Sequence, residues 1–221
     1  MSRFNTLALT AALAGSLLLT GCAAPTASID YAAYRTARPA SILILPPVNE
    51  SPDIKASAAM LSQLTMPLAE SGYYVLPVAL VSETFRSNGV DSPVDAQSVA
   101  AAKLREIFGA DAALYVKVTR YGSSYTVIAS DAVVSADARL VDLKTGAVLW
   151  SGTATASSAE GRNNGGGGLV GLLVTAVVNQ IVGSLSDVSY PVAGTASQRL
   201  AAAGRPNGLL FGPRSPRYLS D

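Results

Sequence analysis

No histidine occurs among the 221 residues, and cysteine occurs once, at Cys22. That excludes imidazole acid–base catalysis, Ser-His-Asp triads and histidine metal sites. A single thiol permits no intramolecular disulfide, and once acylated it is lost as a nucleophile. Charge is sparse as well. Asp, Glu, Lys and Arg make up 14 % of the chain, and 16 − 15 leaves a formal +1; Arg3 is the only charged residue before Cys22, so residues 22–221 sum to 15 − 15 = 0. The net positive field that gathers nucleic acid is missing, so no nucleic-acid partner is expected. Two apolar stretches carry no charge, 7–19 and 169–185, and both are shorter than the roughly 20 residues a helix needs to span a bilayer.

The candidate chemistry that remains is thin. Asp131, Asp137 and Asp142 are spaced along one stretch of strand. Asp131 and Asp137 share a strand face but stand roughly 20 Å apart if extended, too far for a glycosidase pair, and they read as solvated strand-face charges. "GRNNGGGG", residues 161–168, has the outer spacing of a phosphate loop, yet Gly167 and Gly168 stand where Lys and Ser or Thr are needed. It reads as a hinge. No catalytic residue, metal ligand or cofactor site is assigned, and a non-enzyme is expected.

The N-terminus is more informative. Arg3 and the apolar run Leu7–Leu19 form the n- and h-regions of a signal peptide. Leu19-Thr20-Gly21-Cys22 then places small residues directly before a thiol, the arrangement of a bacterial lipobox. Residues 1–21 are therefore expected to be removed and Cys22 acylated; several acyl chains, at about 0.8 kcal/mol per buried CH2, anchor a protein without any spanning helix. Ala23 after the cysteine, in place of Asp, favours sorting to the outer membrane, with a periplasmic-facing domain preferred over a surface-exposed one.

Residues 22–39, small and Pro-punctuated, read as a tether. Order is expected from residue 40. Ile42–Leu45 is a short apolar run stopped by Pro46-Pro47, as a strand buried on both faces requires. Lys55–Glu70 carries Met60, Leu61, Leu64 and Leu68 at helical spacing, with Pro67 expected to disturb its last turn. Tyr74–Val78 reads as a strand. Ser92-Pro93-Val94-Asp95 opens one helix that runs to Gly109, with Ser92 as N-cap. Leu114, Val116 and Val118, then Val134, Ala136, Ala138 and Leu140, alternate with polar residues. After the turn Asp142–Gly146, Val148, Trp150, Gly152, Ala154 and Ala156 form the inner face of a returning strand. The pattern predicts one mixed-sheet α/β domain over 40–200, β-α-β-α-β-β-β-α, with a long antiparallel hairpin followed by an apolar helix.

"ILILPPVNESPD", "LREIFGADAALYVKVTRYG" and "VSADARLVDLKTGAVLWSG" occur in this order. Together they resemble a family of bacterial outer-membrane lipoproteins of unknown function that includes a meningococcal surface lipoprotein. More distantly, they are similar to the periplasmic domain of the TolB N-terminal region, the curli-export lipoprotein and penicillin-binding-protein activators. The resemblance implies a small α/β domain that makes protein contacts in envelope assembly, secretion or transport. An activator of a cell-wall synthase is the alternative it leaves open, and the envelope partners are unnamed.

The uncharged segment 169–185 reads as a buried or interfacial helix. Gly171, Thr175, Asn179 and Gly183 recur every four residues along one stripe. Three readings stand: packing on the chain's own sheet, self-association into a homo-oligomer with Asn179 fixing register, or entry into a membrane. Residues 201–221, with Pro206, Pro213 and Pro216 among several arginines, are expected to be a mobile tail.

Overall fold

Ile42, Leu43, Ile44 and Leu45 are all completely buried, as expected of a strand covered on both faces. They lie in and just after β1 (Ser41–Ile44) of a computed structural model that describes residues 29–125, 130–160 and 188–220. In chain order the elements are α1 (Ala32–Ala37), β1, β2 (Val48–Asn49), α2 (Ala56–Glu70), β3 (Tyr74–Val75), α3 (Val78–Ser87), α4 (Pro93–Ser98), α5 (Ala101–Phe108), β4 (Ala112–Tyr125), β5 (Ser130–Asp142), β6 (Val148–Ser157) and α6 (Ser189–Ala201). They form a mixed α/β fold around one six-stranded sheet of order β3-β1-β4-β5-β6. β3, β1 and β4 run parallel, and β4, β5 and β6 are antiparallel. β2 also lies on β4. β1 and β2 are thus one line of pairing along β4, broken where Pro46 and Pro47 have no N–H to donate.

Alternation along β1 and β4 feeds two cores. Ile42, Ile44, Leu114 and Val116 meet Met60, Leu64 and Leu68 of α2 and Ala193, Ala196 and Leu200 of α6. Leu43, Leu45, Ala113 and Tyr115 meet Val81, Phe85, Ala96 and Leu104 from α3, α4 and α5. The motif residues clamp this frame together. Gly109 takes the left-handed C-cap of α5 (φ 66°), where a side chain would be strained. Two residues on, Asp111 Oδ2 accepts from the Ala40 and Ser41 amides and the Ser41 hydroxyl, at 2.9–3.0 Å, which ties the start of β4 to the start of β1. Asn49 Oδ1 accepts from the Ser51 amide and hydroxyl, while its Nδ2 donates to Asp53 O, shaping the loop into α2.

Several expectations need correction. The chain is ordered well before residue 40: α1 buries Tyr34 to 2 % exposure, so the segment 22–39 is not a tether throughout. Residues 201–220, expected to be a mobile tail, are held by turns and specific backbone bonds, with Leu209 buried, in a Pro-containing segment that cannot form a ladder. The strand after Tyr74 has two residues, and Pro77 starts the unforeseen helix α3. Ser92 caps α4 by accepting from Asp95 N, but Val99 and Ala100 are extended (ψ 132° and 139°) and split the helix into α4 and α5. α2 runs to Glu70 despite Pro67, whose carbonyl accepts from both the Ser71 amide and the Ser71 hydroxyl.

The sheet also departs in detail from simple alternation. Leu140 pairs with Trp150 but Val141 pairs with Val148, so a bulge at Leu149 turns Val148 outward to 52 % exposure and buries Leu149. Alternation puts Tyr115 on a wet face, yet α3–α5 cover it. Asp142 is buried and holds the expected turn by accepting from Thr145 N and Oγ1.

Candidate functional site

Cys22 and the stripe Gly171, Thr175, Asn179 and Gly183 lie outside the described residues. Asp131 and Asp137 are partly exposed, and Asp137 accepts a 2.8 Å bond from Thr153, so it serves the sheet. Among the described residues no three His, Cys, Asp or Glu side chains converge on a point, and no helix is long and apolar enough to cross a membrane. The charge pairs that do form are superficial. Glu160, paired with Arg199, is held below the ordinary carboxylate range by that guanidinium.

A concave surface forms where both ends of the described chain meet. Tyr31 and Tyr34 stand one helical turn apart at α1, with ring centroids 6.3 Å apart. Tyr31 donates from its hydroxyl to Gly208 O at 2.6 Å, and the Ile29 amide reaches Asn207 Oδ1. Tyr34 and Tyr73 hydroxyls pair at 2.8 Å, and Tyr73 donates on to Leu210 O. Trp150 donates its indole N–H to Asn207 O at 2.9 Å. Its ring lies over Gly152, where a Cβ would come within 2.3 Å of it.

Two glycines latch this C-terminal segment down. Gly212 N donates to Ser71 O, and Arg214 N to Gly72 O. Gly72 is left-handed (φ +95°), and a Cβ there would stand 2.4 Å from Ser215 N; a Cβ on Gly212 would stand 2.5 Å from Gly72 O. Leu209 then reaches the main core at 1 % exposure.

Two cavities open on this surface. One of about 580 Å³ lies between Trp150, Arg199, Arg205 and Asn207, with Ile29 at its wall. The other, about 230 Å³, is bounded by Arg35 and Arg38 of α1 and by Phe211 and Tyr218 of the tail. Tyr31 lies between them, since its hydroxyl bonds Gly208 O in the first and its ring meets Tyr34 of the second at a tilt of 39°. Sequence reasoning missed this surface entirely. The aromatic pair at i and i+3 on α1 is a usable signal for packing, but nothing local announces that residues 29–34 meet residues 207–211.

The GNA1162-like lipoproteins match over residues 29–214. The lipoprotein NMB1124/NMB1162 of Neisseria meningitidis serogroup B is 48 % identical over 203 residues, covering 91 % of this chain and 94 % of its own. The crystal structure of lipoprotein GNA1162 from Neisseria meningitidis superposes with a TM-score of 0.52 at 51 % identity, covering 66 % of this chain and 99 % of that one. A PelC dodecamer from Paraburkholderia phytofirmans is more remote, with a TM-score of 0.40 and 19 % identity, covering 80 % of this chain and 96 % of that one. By the family match over residues 29–214 and the 48 % identity to the meningococcal protein, the chain belongs to the GNA1162-like lipoprotein family.

Proposed function

We propose that the chain is an outer-membrane lipoprotein, acylated at Cys22 and facing the periplasm, whose α/β domain acts as a non-catalytic interaction module in envelope assembly, secretion or transport. The observation that carries this reading is how few residues separate Cys22 from the folded domain. Ile29 is already bonded to the domain through Asn207, and the seven steps from Cys22 to Ile29 span at most about 25 Å when fully extended. The domain is therefore confined to the membrane surface. The same short reach argues against a synthase activator that must cross the periplasm. Self-association through Gly171, Thr175, Asn179 and Gly183 belongs to this proposal, since a surface-confined module gains from multivalency.

Cell fractionation with labelled palmitate tests the anchor: wild type carries label in the outer membrane, and Cys22→Ala carries none. Crosslinking in intact cells then identifies what co-purifies. Undiminished label in the Cys22→Ala chain would overturn the anchoring, and a monomer by light scattering of residues 22–221 with Ala at position 22 would overturn the self-association.

A further inference from the structure

We propose that the face built by α1 and residues 202–220 lies flat on the bilayer and binds anionic phospholipid headgroups through Arg35, Arg38, Arg205, Arg214 and Arg217. This rests on the anchor at Cys22, and it adds a second, non-covalent contact and a fixed orientation. The described chain begins at Ile29, seven residues after Cys22, and the Ile29 amide is bonded to Asn207 of the same face. A reach of about 25 Å is less than the hydrocarbon thickness of a membrane. Whatever surrounds Ile29 is held against the lipid.

What surrounds it is positive. Residues 29–40 and 202–220 contain five arginines and one acid, Asp30, for a net +4; the other described residues contain 9 basic and 12 acidic residues, for a net −3. The described part of the chain is thus polarised, with its positive end at the face that carries Ile29. An anionic surface attracts that end and repels the rest, which orients the domain.

The arginines are also presented in a usable form. All five are exposed, and among the described residues no acidic side chain forms an ion pair with Arg38, Arg205, Arg214 or Arg217. Aromatic rings and backbone position Arg38, Arg214 and Arg217 instead, and Arg38 Nε donates to Arg35 O. Arg217 sits 4.3 Å from the centre of the Phe211 ring, and Arg214 sits 5.6 Å from that of Tyr74 while donating to Ala40 O. Guanidinium is weakly hydrated and its fork matches phosphate oxygens in pairs. Leu219, 62 % exposed, and Tyr218 beside it at the smaller cavity supply the apolar and amphipathic groups that favour the headgroup region.

The test uses residues 22–221 with Cys22→Ala, so that no acyl chain takes part and the result is independent of the palmitate labelling. Co-sedimentation is measured with phosphatidylcholine vesicles and with vesicles containing phosphatidylglycerol. Binding is expected only to the latter, weakening as salt is raised. The triple change Arg205→Gln, Arg214→Gln, Arg217→Gln should weaken it roughly 100-fold, from the known contribution of each basic residue near an anionic surface. The control triple Lys55→Gln, Lys103→Gln, Lys144→Gln should leave it unchanged. Because Arg214 also bonds backbone, Arg35→Gln with Arg38→Gln on α1 provides a second variant whose melt is compared with wild type. Equal binding to both vesicle types, equal loss in the control triple, or binding to isolated cell-wall polymer with none to phosphatidylglycerol would overturn the proposal.

Discussion

The two faces of the sheet are covered in different ways. One is sealed from β1 across to β6 by α2 and α6, whose sequence positions are more than a hundred residues apart, with Leu209 of the C-terminal segment closing the end. The other is covered only over β1 and the adjoining ends of β4 and β5, by the consecutive helices α3, α4 and α5. Farther along that second face Lys117, Arg139, Ser151, Thr153 and Thr155 are exposed, and Thr155 and Ser135 pair hydroxyls across the strands. Local helices cover the strands they connect. Complete coverage needed a C-terminal helix and segment brought from far away in the chain, and the concave surface formed where that segment meets α1.

That contrast can be broken at its most loaded point. Trp150 is 3 % exposed on the sealed face and joins the core to the C-terminal segment. Trp150→Ala should lower stability by about 3 to 5 kcal/mol, read by denaturant unfolding; a loss no larger than that of an exposed position such as Thr153→Ala would show that the seal is not structural.

A smaller change releases the seal without touching the core. Gly72→Ala places a Cβ against Ser215 N in a left-handed backbone, at a cost of about 1 to 3 kcal/mol, and should expose residues 202–220 to protease before the sheet unfolds. Proteolysis of wild type and variant at the same rate would contradict the latch.

The least effect is expected on the half-covered face. Burial holds the Tyr115 phenol above its ordinary value of 10.0, while the Arg139 guanidinium, 4.5 Å from the ring centre, pulls it the other way. The folded state keeps this proton where the unfolded chain has lost it. With the folded pKa raised, the contribution is intact below the unfolded value of about 10 and is lost as pH rises through the native pKa. For a neutral group that burial favours, the alkaline loss vanishes when the hydroxyl is removed. Melts across the alkaline range should show a shallower decline for Tyr115→Phe than for wild type, and identical slopes would place the phenol in water.

How much was legible follows from range. Ile42–Leu45, the helical spacing of Met60, Leu64 and Leu68, the Ser92 cap and the Asp142–Gly146 turn are local patterns, and each has its expected place in the fold. Val148 leaves its expected face because a bulge at Leu149 shifts the period by one, and no residue type marks that bulge. The tail departs from expectation because Pro206, Pro213 and Pro216 forbid a ladder but not a packed turn, and whether such a segment packs depends on what it meets.

By itself, the sequence determined the chemistry available: no imidazole, one thiol placed for acylation, and strands and helices whose apolar periods demand a mixed α/β core. It also set the charges, neutral in sum over residues 22–221. Tertiary structure alone decided where those charges go. Arg35 and Arg38 lie more than 160 residues from Arg205 in the chain, and only the contacts of Tyr31 with Gly208, Tyr73 with Leu210 and Gly72 with Arg214 bring them to one face. Such contacts depend on shape and on backbone groups that every residue carries, and neither leaves a periodic mark in the sequence.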